Sequence, residues 1–234
     1  LRGVRSALQG PGQWFYDARE KKLYVIPPSE GNLKHMAVEA KRRIDAVDLS
    51  GRSHIHLKGI SFRAGGIRMD ADSSHIHLIG MQGRYVAHSY TRDTPEDGGV
   101  IIQGHHILLL NCDIGYSSGP VVCLSGCDHR IINCHLHHGG YAGLWKGAVS
   151  LSGRRIVFSH NTVRHSGRDL VTVHGLMESL IQYNDLSDAG WLTEDLGIIY
   201  GHNTDFANTV IHHNHICDNH SPYAMGIYFD HLSH

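Results

Sequence analysis

Short runs in which apolar and polar residues alternate recur along the chain, and most of them end in glycine. Aligned on that ending, the runs are 46–51, 100–104, 121–126, 148–153 and 170–175, with 197–201 and 226–230 as later members. The steps Gly104 to Gly126 and Gly153 to Gly175 are both 22 residues, and Gly126 to Gly153 is 27. A second column follows, holding Cys112, Cys134, Asn161, Asn184 and Asn214, each two residues before Ile114, Leu136, Val163, Leu186 or Ile216. Alternation with period two predicts strands with one buried face. No run is followed by a helix-length amphipathic segment, which argues against βαβ units. Strands that recur in two columns at this spacing predict coils stacked in parallel, a solenoid, with an interior ladder where small polar side chains hydrogen-bond from coil to coil. An antiparallel β-sandwich would not need two columns in register. The expectation is an all-β, right-handed parallel β-helix of about seven coils, with a lead-in segment over 1–43 and the coils over 44–234.

Composition sharpens this picture in two ways. The chain carries 27 glycines and 22 histidines against 6 prolines, and the glycines are spaced like turns rather than clustered like a linker. The 5 cysteines are odd in number and irregular in spacing, so a full disulfide framework is not expected. A net charge of -1 gives no electrostatic case for nucleic acid or an anionic membrane as partner. No apolar stretch of about 18 residues exists to span a bilayer, and Leu1 to Arg5 lacks the long apolar run of a signal peptide.

Several motifs resemble the right-handed β-helix carbohydrate-active proteins, particularly glycoside hydrolases of that architecture. Pro11-Gly12-Gln13-Trp14-Phe15-Tyr16-Asp17 followed by Leu23-Tyr24-Val25-Ile26-Pro27-Pro28 is similar to that family's "PGEWYYD…LYYYPP" segment. Glu194-Asp195-Leu196-Gly197-Ile198-Ile199-Tyr200 is similar to "DDAGAIY", and Gly226-Ile227-Tyr228-Phe229-Asp230 to "GVYLDD". The resemblance covers most of the chain. It implies a polysaccharide or oligosaccharide as partner, an extracellular or periplasmic setting and no cofactor. Family members usually begin earlier and continue for several coils past the last motif, so the expectation is a chain truncated at one or both ends.

Glycoside hydrolysis needs two carboxyl groups flanking the scissile bond. The motif acids Asp195 and Asp230 stand 35 residues apart, which puts them on neighbouring coils, with Glu194 as the competing acid beside Asp195. Setting Tyr200 level with Tyr228 gives an outward row of Ser125, Ser152, His174, Tyr200 and Tyr228, and a next row of Arg154, His202 and Asp230. Rings and polar donors on one face suit a sugar, so His174, Tyr200, His202 and Tyr228 are candidate substrate contacts, with Trp191 on a bounding loop. The histidines show no HExxH or paired CxxC…H spacing, so no metal site is expected and a surface ladder of stacked rings is the simpler reading. Two alternatives stand beside the hydrolase. A polysaccharide lyase would use a His, Lys, Arg or Tyr base, with Ca²⁺ or Arg neutralising a uronate carboxylate; few clustered acids and no basic run speak for it. A non-catalytic carbohydrate-binding or structural β-helix is the other.

Overall fold

The structure is a computed structural model that describes residues 4–28, 33–39, 41, 43–88, 98–223 and 225–234; residues 1–3 of the N-terminal stretch lie outside these. The chain divides into two compact units, Leu1–Ala40 and Lys41–His234. In the first, strands Trp14–Asp17 and Lys22–Val25 pair as an antiparallel hairpin, with Phe15 level with Tyr24. Arg5 lies 3.9 Å over the Tyr24 ring.

The second unit is a parallel β-helix. Its strands form three parallel sheets, one of eight strands and two of seven. Following the chain, we call them face 1 (Asp45–Asp48 through Met225–Asp230), face 2 (Ser53–Lys58 through Val210–His212) and face 3 (Ser61–Arg63 through His215–Asn219). Each inward row is a stack of apolar side chains in register. Val100, Val122, Val149, Val171 and Ile199 pair along face 1 and are wholly buried. Leu78, Leu109, Ile131, Phe158 and Ile181 do the same on face 2, and Ile114, Leu136, Val163 and Leu186 on face 3. Burial of each such side chain stabilises by about 1.5–3 kcal/mol, so the three rows together hold the coils in register.

The corner between faces 2 and 3 is tight, with two residues separating Arg130–Ile132 from His135–Gly139. The inward residue there is the second column of the sequence. Asn161 Nδ2 donates to Asn184 Oδ1 at 3.1 Å and Asn184 Nδ2 to Asn214 Oδ1 at 2.9 Å, and each Asn also donates to a carbonyl of the preceding coil. Cys134 and Cys112 continue the column, and the five cysteines form no disulfide. The corner from face 3 to face 1 holds the long connections, such as those from His135–Gly139 to Val149–Arg154 and from Asp185–Ala189 to Gly197–His202.

The register of face 1 differs from the glycine alignment. Tyr200 is level with Tyr228, and His202 with Asp230, as expected. On the other side, however, Tyr200 pairs with Thr172 rather than His174, and Gly201 with Val173 rather than with a turn glycine. Arg154 is level with Met177 rather than His202, across a register shift between Leu151 and Gly153. Burial explains the difference: Ile199 must follow Val171 in the apolar stack, whereas a terminal glycine carries no such constraint.

Candidate active site

The outward side of face 1 changes along the stack. Its rungs read Cys123, Ser150, Thr172, Tyr200 and Tyr228 in register. At the small end the backbone of the 141–147 connection lies close, and Gly147 N–H donates to Thr172 Oγ1 at 2.8 Å. At the aromatic end the two phenols converge on one carboxylate. Tyr200 donates its hydroxyl to Asp230 Oδ2 at 2.7 Å, and Tyr228 donates to Asp230 Oδ1 at 3.1 Å. The rings meet edge to face at 5.5 Å. Gly197 permits this approach, because a Cβ there would stand 2.7 Å from that of Tyr228.

These contacts set the ionisation of the group. The Tyr200 hydroxyl, followed by that of Tyr228, the His231 amide and the His202 charge, holds the Asp230 carboxyl below the usual range, with desolvation opposing. Burial and then the hydrogen bond to Asp230 push the Tyr200 phenol up, with the Arg168 guanidinium opposing. The Tyr228 phenol is pushed up first by its bond to Asp230, and the Asp195 carboxylate adds to that shift through space. Asp230 is therefore an anion fixed by two neutral phenols.

Asp195 is exposed, and its backbone is tethered. Its carbonyl accepts from Arg168 Nη2 at 2.8 Å. Arg168 is buried, stacks 4.4 Å over the Tyr200 ring, and pairs with wholly buried Asp169 at 2.5 Å. Thr172 Oγ1 donates to the other oxygen of Asp169. Burial raises the Asp169 carboxyl and Arg168 opposes it. This Arg168–Asp169 pair is absent from the sequence reading; it lies in a connection, where no periodic pattern marks it.

The remaining candidates divide. His202 is exposed, level with Asp230, and stacked on His231 at 5.9 Å. His174 lines a 170 Å³ cavity farther along face 1 with Lys146, Ser125, Ser150 and Ser152. Burial of its ring, followed by the charges of Lys146, Arg168 and His202, pushes its imidazole down. Glu194 is exposed, and its carbonyl accepts from Ser221 Oγ at 2.5 Å. Trp191 faces elsewhere: its indole donates to Asp188 Oδ1 at 2.6 Å and packs 4.0 Å from His220. It lines a 310 Å³ cavity with His165, Asp188 and His220 that includes none of the three candidate acids.

No helix among the described residues is long and apolar enough to cross a membrane. Comparison with curated proteins finds no match to the chain. The family model for the right-handed β-helix region matches residues 65–233, which spans most of the coils and the whole of the Tyr200, Tyr228 and Asp230 cluster. The chain belongs to the right-handed β-helix family.

Proposed function

We propose that face 1 is the active face of a glycoside hydrolase acting on a polysaccharide or oligosaccharide. The observation that carries the reading is the Asp230 carboxylate, held by the Tyr200 and Tyr228 hydroxyls at the aromatic end of face 1, with the Asp195 carbonyl tied to the Arg168 that stacks on Tyr200. An anion fixed at Asp230 and a second acid on the tethered connection before Tyr200 match the division of labour that glycoside hydrolysis requires. Asp230 is the base or nucleophile. Asp195, on its Arg168-tethered connection, is the acid that gives its proton to the leaving oxygen, with Glu194 as the substitute. Tyr200, Tyr228, His202 and His174 bind the sugar, and the setting is extracellular or periplasmic. The test is release of reducing ends from a panel of neutral and uronate-containing glycans. Asp230→Asn and Asp195→Asn should each lower the rate by roughly 10²-fold or more, while Glu194→Gln has the smaller effect. Full activity in Asp230→Asn would overturn the assignment.

A second reading, β-elimination from a uronate, draws on one feature. Lys146 lines the same cavity as His174, which sets a cation that suits an acidic sugar beside a candidate base. An unsaturated product absorbing in the ultraviolet, without hydrolytic reducing ends, would favour it.

A further inference from the structure

The outward side of face 3 carries a second cluster. Its register sets Gln82, Asp113 and His135 in one row and Arg84, Gly115 and His137 in the next. Arg84 Nη2 holds Asp113 Oδ2 at 2.5 Å. The other oxygen, Oδ1, lies 3.2 Å from His135 Nδ1 and 3.2 Å from His137 Nε2. The His137 ring reaches Asp113 by folding back over Gly115, where a Cβ would stand 2.2 Å from its Cε1. Its other nitrogen, Nδ1, is 2.7 Å from His138 Nδ1. That contact fixes the ring with Nε2 facing the carboxylate.

A near copy of this arrangement farther along the stack separates repeat from specialisation. Arg164 Nη2 holds Asp185 Oδ2 at 2.6 Å, and His215 Nδ1 lies 3.2 Å from Asp185 Oδ1. The Arg–Asp–His ion pairing thus belongs to the repeat. The third donor does not. In the copy, Ser187 stands at the position of Gly115 and Cys217 at that of His137, and the Cys217 thiol turns to Asp218 at 3.4 Å.

We propose that Asp113, His135 and His137 form a binding site for a divalent transition-metal ion of borderline softness, Zn²⁺ being the type case. One ligand atom from each lies within 4.8 Å of the others. Two ligands about 2.0–2.1 Å from a common ion at a tetrahedral angle stand roughly 3.3 Å apart, close to both carboxylate–imidazole separations. Two imidazoles and one carboxylate oxygen suit Zn²⁺, Ni²⁺ or Cu²⁺ and offer too few oxygens for Ca²⁺. His138 behind His137 and Arg84 behind Asp113 are the outer partners that orient such ligands. The His135 side chain is 47% exposed, which leaves the fourth position open to solvent. None of these residues lies on face 1, so the site is independent of the proposed hydrolase.

The test is equilibrium dialysis of the full chain against ZnCl₂, paired with the visible spectrum of the Co²⁺-loaded chain. Expected is one saturable site per chain with the intense d–d bands of tetrahedral Co²⁺. Affinity should fall at least tenfold in His137→Ala and Asp113→Asn and hold in His215→Ala, which removes the matching histidine of the near copy. Exposed His135→Gln, checked by circular dichroism, covers the case in which a more buried substitution unfolds the chain. Equal affinity in His135→Gln and His215→Ala, or weak octahedral Co²⁺ bands, would overturn the proposal.

Discussion

At the corner between faces 2 and 3, two adjacent residues in each of the last three coils build two ladders, one inside the stack and one outside. Inside stand Asn161, Asn184 and Asn214, amide bonded to amide. Outside, one residue earlier, stand His160, Tyr183 and His213, whose rings stack at 5.2 and 4.9 Å. The repeat distance is that of the sheets in both cases, but the selection differs. Inside, backbone N–H groups must find an acceptor: Asn161 N–H donates to Asn184 Oδ1 at 2.9 Å, so the side chain is dictated. Outside, the constraint is on the backbone. His160, Tyr183 and His213 have φ of 57°, 53° and 51°, left-handed values that most side chains avoid and Asn, Asp and His tolerate best. His54, His75 and His106 form a similar left-handed column after face 1, as do His138 and His165 after face 3. Much of the histidine excess is thus a property of corners.

The comparison makes predictions that run from the interior outward. The largest effect should come from Arg168→Ala, which strands the wholly buried Asp169 carboxylate and frees the Asp195 carbonyl. A loss of about 3–5 kcal/mol is expected in urea unfolding, with the proposed hydrolase activity falling alongside. Next is Asn184→Ala, which leaves the buried Asn161 N–H without its acceptor and removes the amide donor to Phe158 O and Asn214 Oδ1; about 2–3 kcal/mol should be lost. His129 tests burial by pH. It is wholly buried, its Nε2 bonds Ser125 O at 3.0 Å and its Nδ1 accepts from Ile107 N–H at 3.2 Å. Burial pushes its imidazole down to about 4. The unfolded chain therefore takes up the proton first, and stability falls as pH drops from about 6.5 toward 4, by about 2 kcal/mol at pH 5. In His129→Gln that part of the acid limb should flatten. The smallest effects belong to the outer ladder. Tyr183→Val should cost about 1–2 kcal/mol through the left-handed backbone, whereas Tyr183→Asn should stay within about 0.5 kcal/mol of wild type. Equal losses for the two would show that ring stacking, not backbone conformation, governs the outer column.

The same contrast explains what the sequence reveals. The coils and the amide column are legible because burial repeats the same residue types at the same place, as in Asn161, Asn184 and Asn214. The outward rows are less so. Thr172 rather than His174 shares the Tyr200 row because Val171 is level with Ile199, and the shift that sets Arg154 level with Met177 is a bulge that counting alternate positions cannot register. Asp195 and Asp230 are marked by motif resemblance, while Arg168 and Asp169, which underpin them, lie in a connection of no periodicity. His137-His138 reads as a pair of ladder rings. Only His138 joins the ladder, stacking 4.5 Å from Tyr116. His137 turns back to Asp113 because Gly115 leaves the room, a relation between coils that no linear spacing displays.

The long connections from face 3 to face 1 have a consequence for how such a molecule can diversify. The other two corners are bound by stacked polar and left-handed residues, so an insertion there would shear every rung above it. The long connections begin beyond the His138 and His165 column, so an insertion within them leaves that ladder in place. Trp145, Trp191 and Asp195 all stand on that edge, and Trp145 and Asp195 both meet Arg168, which stacks on the Tyr200 ring. New specificity can therefore be grafted segment by segment along one seam, as teeth are changed on a key whose shaft stays the same.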